Sequence, residues 1–179
     1  DSSQRVGIGE TSPDELLHIK SSTSSKPVIK LENAGDVTNG AQLHFVMSTT
    51  GEGDNDIPGT IRFKGMNSAN SETEFSTIYT RNIDVTDGTE DSEMHFRTTT
   101  AGTLDTTMLL QSGRVGIGTT SPSTTRRLHI YNTDDTRGIY IENTSATSYA
   151  ELHLKANREF RVGTGGSSSA SEAQNRFYI

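Results

Sequence analysis

Cysteine is absent from the 179 residues. That excludes disulfides, thiolate metal sites and cysteine nucleophiles. Tryptophan is absent as well, and Phe and Tyr together number 11, so little is available to stack a sugar or a base. Apolar runs stop at three or four residues, far short of the roughly 20 that a membrane-spanning helix needs. Positive charge is also short: 16 Lys and Arg stand against 23 Asp and Glu, a formal charge of −7. No basic stripe is present for nucleic acid, and no polybasic segment for an anionic membrane surface. The scarcest resource is core. Leu, Ile, Val and Phe make up 35 residues of 179, while Ser and Thr make up 47. Burying one Leu or Ile contributes roughly 1.5–3 kcal/mol, and ordering each residue costs about 1–2 kcal/mol of backbone entropy. A single copy is poorly placed to balance those terms. The chain is either disordered or borrows core from other copies of itself.

The patterning decides for the second outcome. Apolar residues alternate in Val6-Gly-Ile8, Leu43-His-Phe45, Ile61-Arg-Phe63, Ile78 to Ile83, Met94-His-Phe96, Val115-Gly-Ile117, Ile139-Tyr-Ile141 and Leu152-His-Leu154. Period 2 marks half-buried strands, and abundant Thr suits them. No window carries a helical stripe. The expected fold is all-β, with many short strands ordered in an oligomer.

An internal repeat organises the chain. Arg5-Val-Gly-Ile-Gly9, Thr11-Ser-Pro13 and Leu17-His-Ile19 recur as Arg114-Val-Gly-Ile-Gly118, Thr120-Ser-Pro122 and Leu128-His-Ile130, with two extra residues before the second Leu-His-Ile. Fainter matches follow, ending with Met108-Leu-Leu110 against Phe177-Tyr-Ile179. The first unit is expected to span 1–113 and the shorter second unit 114–179. A β-rich insert of about 46–92 belongs to the first unit alone and is expected to protrude as a partner-contact surface. Because 177–179 matches the strand that precedes the second motif, the last residue of one copy could run into the first of another. This reads as a segment of a longer tandem array, or as subunits joined head to tail.

Within the motif, Val6 and Ile8 point to one face and Gly7 and Gly9 to the other, as do Val115 and Ile117 against Gly116 and Gly118. A glycine face marks the close approach of another backbone. That backbone is either a neighbouring chain near a three-fold axis or a turn of the same chain. Ser12-Pro-Asp-Glu15 has the spacing of a capping box, which predicts one helical turn there. Glu10 replaces Thr119 and reads as a surface change.

The run Gly113-Arg-Val-Gly-Ile-Gly-Thr-Thr-Ser-Pro122 followed by Leu-His-Ile resembles the repeat of bacteriophage tail-fibre and tailspike-like proteins, and similar segments occur in large bacterial surface proteins. In those proteins the repeat sits in a shaft, often upstream of a self-cleaving intramolecular chaperone of the endosialidase type. The resemblance strictly covers about 2–20 and 111–131. It implies a homotrimer with interwoven β-structure, in which three chains pool alternate faces into one core.

Chemical constellations are few. All five histidines lie between apolar residues, which places them on the strand face opposite the apolar one. No His-x-His pair supports a metal ring. The acidic loops at 51–56, 84–93 and 134–135 lack helix-loop-helix calcium spacing and read as solvated turns; Asp84, Asp87, Glu90 and Asp91 are where a calcium ion would first be sought. Otherwise no cofactor is expected. Paired carboxylates of a glycan depolymerase would lie in the insert, without Trp and with few aromatics to stack sugars, and no nucleophile elbow or phosphate loop is present. The expectation is a non-enzymatic, adhesive fibre shaft on a virion tail or extracellular surface. Its partners are other copies of itself and a host surface glycan. The alternatives are a filament subunit joined by strand addition and a depolymerase tailspike.

Overall fold

The computed structural model describes residues 4–35, 38–51, 53–133 and 139. The chain divides into two compact units, 1–129 and 130–179. Described residues of the second unit are 130–133 and 139.

The fold is β-rich, with no helix and 41% strand among the described residues. A two-stranded parallel sheet joins β1 (Val6–Ile8) to β2 (Leu17–Ile19). A six-stranded sheet follows, built from β3 (Gly59–Met66), β4 (Glu72–Asp84), β5 (Asp91–Thr100), β6 (Thr103–Gln111), β7 (Arg114–Ile117) and β8 (Leu128–Ile130). Its spatial order is the order of the sequence. β3 to β7 form an antiparallel meander.

Local chemistry sets the connections. Ala101 and Gly102 both have positive φ, as do Ser112 and Gly113. These are two-residue turns of the kind whose twist matches a hairpin, joining β5 to β6 and β6 to β7. Between β3 and β4, Asn67 Oδ1 accepts from the amides of Ala69 and Ser71 at 2.9 and 3.0 Å. Register shifts interrupt three ladders, at Phe63/Lys64, Asn82/Asp84 and Phe96/Arg97.

Five of the eight strands contain alternating runs named above, β2 and β8 are the two Leu-His-Ile segments, and two expectations need correction. No helical turn forms at Ser12–Glu15, which is a series of bends. The chain there must return from the end of β1 to its start, because Val6 pairs with Leu17 in parallel, and a helical turn would consume that return. Leu43-His44-Phe45 is not a strand. Among the described residues no backbone ladder joins it, and an unpaired strand is unstable in water. Within the insert, β3 and β4 extend the sheet through the long β4–β5 ladder. The runs at Ile139–Ile141 and Leu152–Leu154, the loop at 134–135 and the match at 177–179 fall largely or wholly outside the described residues.

Candidate functional site

The two copies of the motif take the same local path. Val6 N donates to Leu16 O at 2.8 Å, and Val115 N donates to Arg127 O at 2.8 Å. A Cβ on Gly7 would overlap the carbonyl oxygen of Glu10; one on Gly116 would sit 2.9 Å from the carbonyl oxygen of Thr119. Pro13 lies beside the first glycine and Pro122 beside the second, and both prolines are buried. The backbone that approaches these glycines is therefore the chain's own. Gly9 and Gly118 close the motif at φ +75° and +70°, a region that favours glycine. Glu10 does more than change the surface. Its Oε1 accepts from Ser12 N at 2.8 Å, as Thr119 Oγ1 accepts from Ser121 N at 3.0 Å. It also pairs with Lys20 at 2.5 Å. The Lys20 hydrogen bond, with the Ser12 amide second, holds the Glu10 carboxyl down at about 2.

The six-stranded sheet has two unlike faces. Register aligns Ile61, Ile78, Phe96, Met108 and Ile117 in one apolar row across five strands. Met94, Leu110 and Val115 form a second row on the same face. This face is open. Ile61 is 42% exposed, Phe63 50% and Ile117 37%, while Ile78, Met94, Phe96 and Met108 are half-buried. Phe45 reaches its corner beside Gly59, where a Cβ would stand 2.6 Å from the Phe45 Cβ. With Ile61, Ile78 and Met94 it borders an apolar hollow of about 340 Å3.

The opposite face is polar yet closed. Tyr79, His95, Leu109 and Gly116 align there, beside a second row of Arg81, Glu93, Gln111 and Arg114. The return from β7 to β8 passes over this face at Gly116, and Leu109 next to it is the one fully buried large apolar residue among those described. Glu93, with 2% of its side chain exposed, is an ion-pair partner of Arg81. It lies 2.7 Å from His95 Nε2 and accepts from Gln111 Nε2 at 3.3 Å. Burial pushes the Glu93 carboxyl up, and the His95 and Arg81 hydrogen bonds more than offset it, so the group ends below its ordinary value. His95 Nδ1 meets Thr106 Oγ1 at 3.1 Å, so both ring nitrogens are engaged.

The acidic loop at 84–93 is a braced turn. Asp84 pairs with Asp91 across β4 and β5, and Asp84 Oδ1 accepts from Thr86 N at 2.8 Å. That backbone bond lowers the Asp84 carboxyl from its ordinary value. Asp87 and Glu90 are exposed. Among the described residues, no three His, Asp or Glu side chains are grouped to hold a metal ion.

Compared with known proteins, the chain matches no family model and no curated protein. Sequence reasoning missed two clusters. The Glu93 hub needs the register of three strands to be seen. The grouping of Arg114, Arg126 and Arg127 around one hollow left a signal in the two extra residues of the second motif.

Proposed function

We propose that this chain is a segment of a homotrimeric, tail-fibre-like shaft, a non-catalytic and adhesive element of a virion tail or extracellular surface. The observation that carries the reading is the open apolar face. Five strands align apolar side chains on one side of the sheet and leave them exposed or half-buried, while the polar side holds the buried Glu93, His95 and Leu109. Contiguous exposed apolar surface of this kind marks an interface. Three copies turning these faces toward a common axis would supply the core that one copy lacks. Apolar residues of the segment without regular structure, among them Leu43, Phe45 and Val46, are exposed too, and would gain partners from neighbouring chains. The repeated motif suits a tandem array because each copy closes locally and leaves the chain free to continue. The shaft would carry or project contacts to a surface glycan.

A second reading is favoured by one edge. β7 is flanked by β6 and β8, whereas β1 pairs only with β2 among the described residues. Gln4, before β1, has φ +58°, matching Gly113 before β7 at +73°. The first motif is thus shaped to follow a hairpin turn, and its free edge would accept a strand from another copy, as in a head-to-tail filament.

Native mass spectrometry with chemical cross-linking tests both. A closed trimer supports the shaft, open-ended polymers support the filament, and a stable folded monomer overturns both.

A further inference from the structure

We propose that the hollow between the β6–β7 turn and the end of the β7–β8 return binds an acidic saccharide through its carboxylate. The inference rests on the reading above that the shaft contacts a surface glycan, and it names the chemistry of that contact. The hollow, of about 420 Å3, is lined by Ser112, Arg114, Thr124, Thr125, Arg126 and Arg127. Three arginines and three hydroxyl-bearing residues line it, in a chain whose formal charge is −7. Its size falls in the roughly 300–1,000 Å3 range of small-molecule sites.

These arginines are held without carboxylates. Arg62 and Arg81 each pair with a glutamate. Arg114, Arg126 and Arg127 have no acidic partner among the described residues: Arg127 Nη1 donates to Gly113 O at 3.0 Å, and Arg126 Nη1 to Thr125 O at 3.4 Å. Arg114 Nε is buried with no hydrogen-bond partner. A guanidinium presents five donors suited to bidentate capture of a carboxylate, and most of these donors are unspent. The loop is also ordered before any ligand arrives. Ser123 N donates to His129 Nδ1 at 3.2 Å, Thr125 N to Ser123 Oγ at 3.4 Å and Arg126 N to Ser123 O at 3.3 Å.

The first motif supplies the control. It makes the same return with three residues between Pro13 and Leu17, where the second motif has five between Pro122 and Leu128. Leu16 occupies the place of Arg127 in the β-ladder. Asp14 and Glu15 lie where the second motif carries its extra residues, and Asp14 is committed to His18 at 2.7 Å. The fold therefore closes without the two arginines, and their presence calls for another reason. Interleaved hydroxyls favour a polyhydroxylated ligand over a bare anion. Arg114 belongs to the polar row of the sheet, and no residue of the two apolar rows lines the hollow, so assembly through the apolar rows need not fill it.

Isothermal titration of the whole chain with trigalacturonate, its methyl ester and inorganic phosphate tests the assignment, with native mass recorded on the same samples. Saturable binding of trigalacturonate is expected, stronger than that of phosphate and lost in the ester. Arg126→Ser with Arg127→Ser should weaken it by about tenfold and leave the assembly mass unchanged. Arg126→Ser alone, which keeps the Arg127–Gly113 bond, should give a smaller loss. Absence of saturable binding, equal binding of the ester, tighter binding of phosphate, or undiminished binding by the double variant would overturn the proposal. So would dissociation of the double variant, which would assign the arginines to carboxylates of a neighbouring copy. A wild-type chain that binds trigalacturonate as a monomer would retain the site and remove the shaft.

Discussion

The imidazole of His95 lies flat on the ring of Tyr79, with centroids 4.5 Å apart and planes 6° from parallel. The two residues are cross-strand partners on β4 and β5, and the stack closes one side of the Glu93 hub. This polar cluster does on one face what apolar packing does in most sheets: it fixes register and excludes water.

Acid should loosen the hub. The folded-state Glu93 carboxyl lies below its ordinary value, so its contribution to stability is fully present above that value, about 4.5. It is lost as pH falls through the depressed folded value. Urea unfolding is expected to give constant stability from neutrality down to about that pH and a decline below it. Glu93→Gln should flatten the decline. Glu93→Ala should lower stability by about 1–3 kcal/mol at pH 7, since His95 and the half-exposed Arg81 lose their acceptor.

Charge placed on the apolar row should disrupt the proposed assembly. Ile61→Lys puts an ammonium on an exposed position at the edge of the sheet. If copies pool this face, sedimentation should show a smaller species, and the far-ultraviolet circular dichroism should lose strand signal as the shared core is lost. An unchanged mass would place the interface elsewhere.

The motif glycines should resist even a methyl group. At Gly116 a Cβ meets the Thr119 carbonyl and side chain at 2.9 and 3.1 Å, so Gly116→Ala should cost about 1–3 kcal/mol. Thermal melting reads this directly. Gly7→Ala should act in the same direction, because the Glu10 carbonyl stands in the same place.

Two substitutions probe the equivalence of the motifs from the other side. Glu10→Thr should lower the melting temperature only slightly, because Thr119 makes the same amide bond in the second motif and only the exposed Lys20 pair is lost. Gln4→Gly should stabilise by about 0.5–1 kcal/mol by relieving a left-handed backbone. A large fall for the first variant, or any fall for the second, would show that the two motifs are not interchangeable.

Much of this architecture was readable from side-chain spacing. The alternation in Ile61–Phe63, Ile78–Ile83, Met94–Phe96 and Val115–Ile117 marks strands and also their apolar face, because period 2 encodes both. The close approach at Gly7 and Gly116 was readable, though not which backbone approaches. Leu43–Phe45 shows the limit of such reasoning: alternation states a capacity to pair, and pairing needs a neighbour. The Glu93 hub was hidden because three register shifts decide which polar residues meet, and no local pattern announces a bulge. The arginine hollow escaped because Arg114 lies in a strand and Arg126 and Arg127 in a loop twelve residues further on.

The meander also bears on how such a chain would be made. From β4 to β7 each strand is hydrogen-bonded to the one synthesised just before it, and the last two hairpins close through two-residue turns. Contacts of such short sequence separation incur little loop-closure entropy and form quickly. The hairpins can therefore form in step with translation, and the association proposed above, which depends on concentration, would complete the core last.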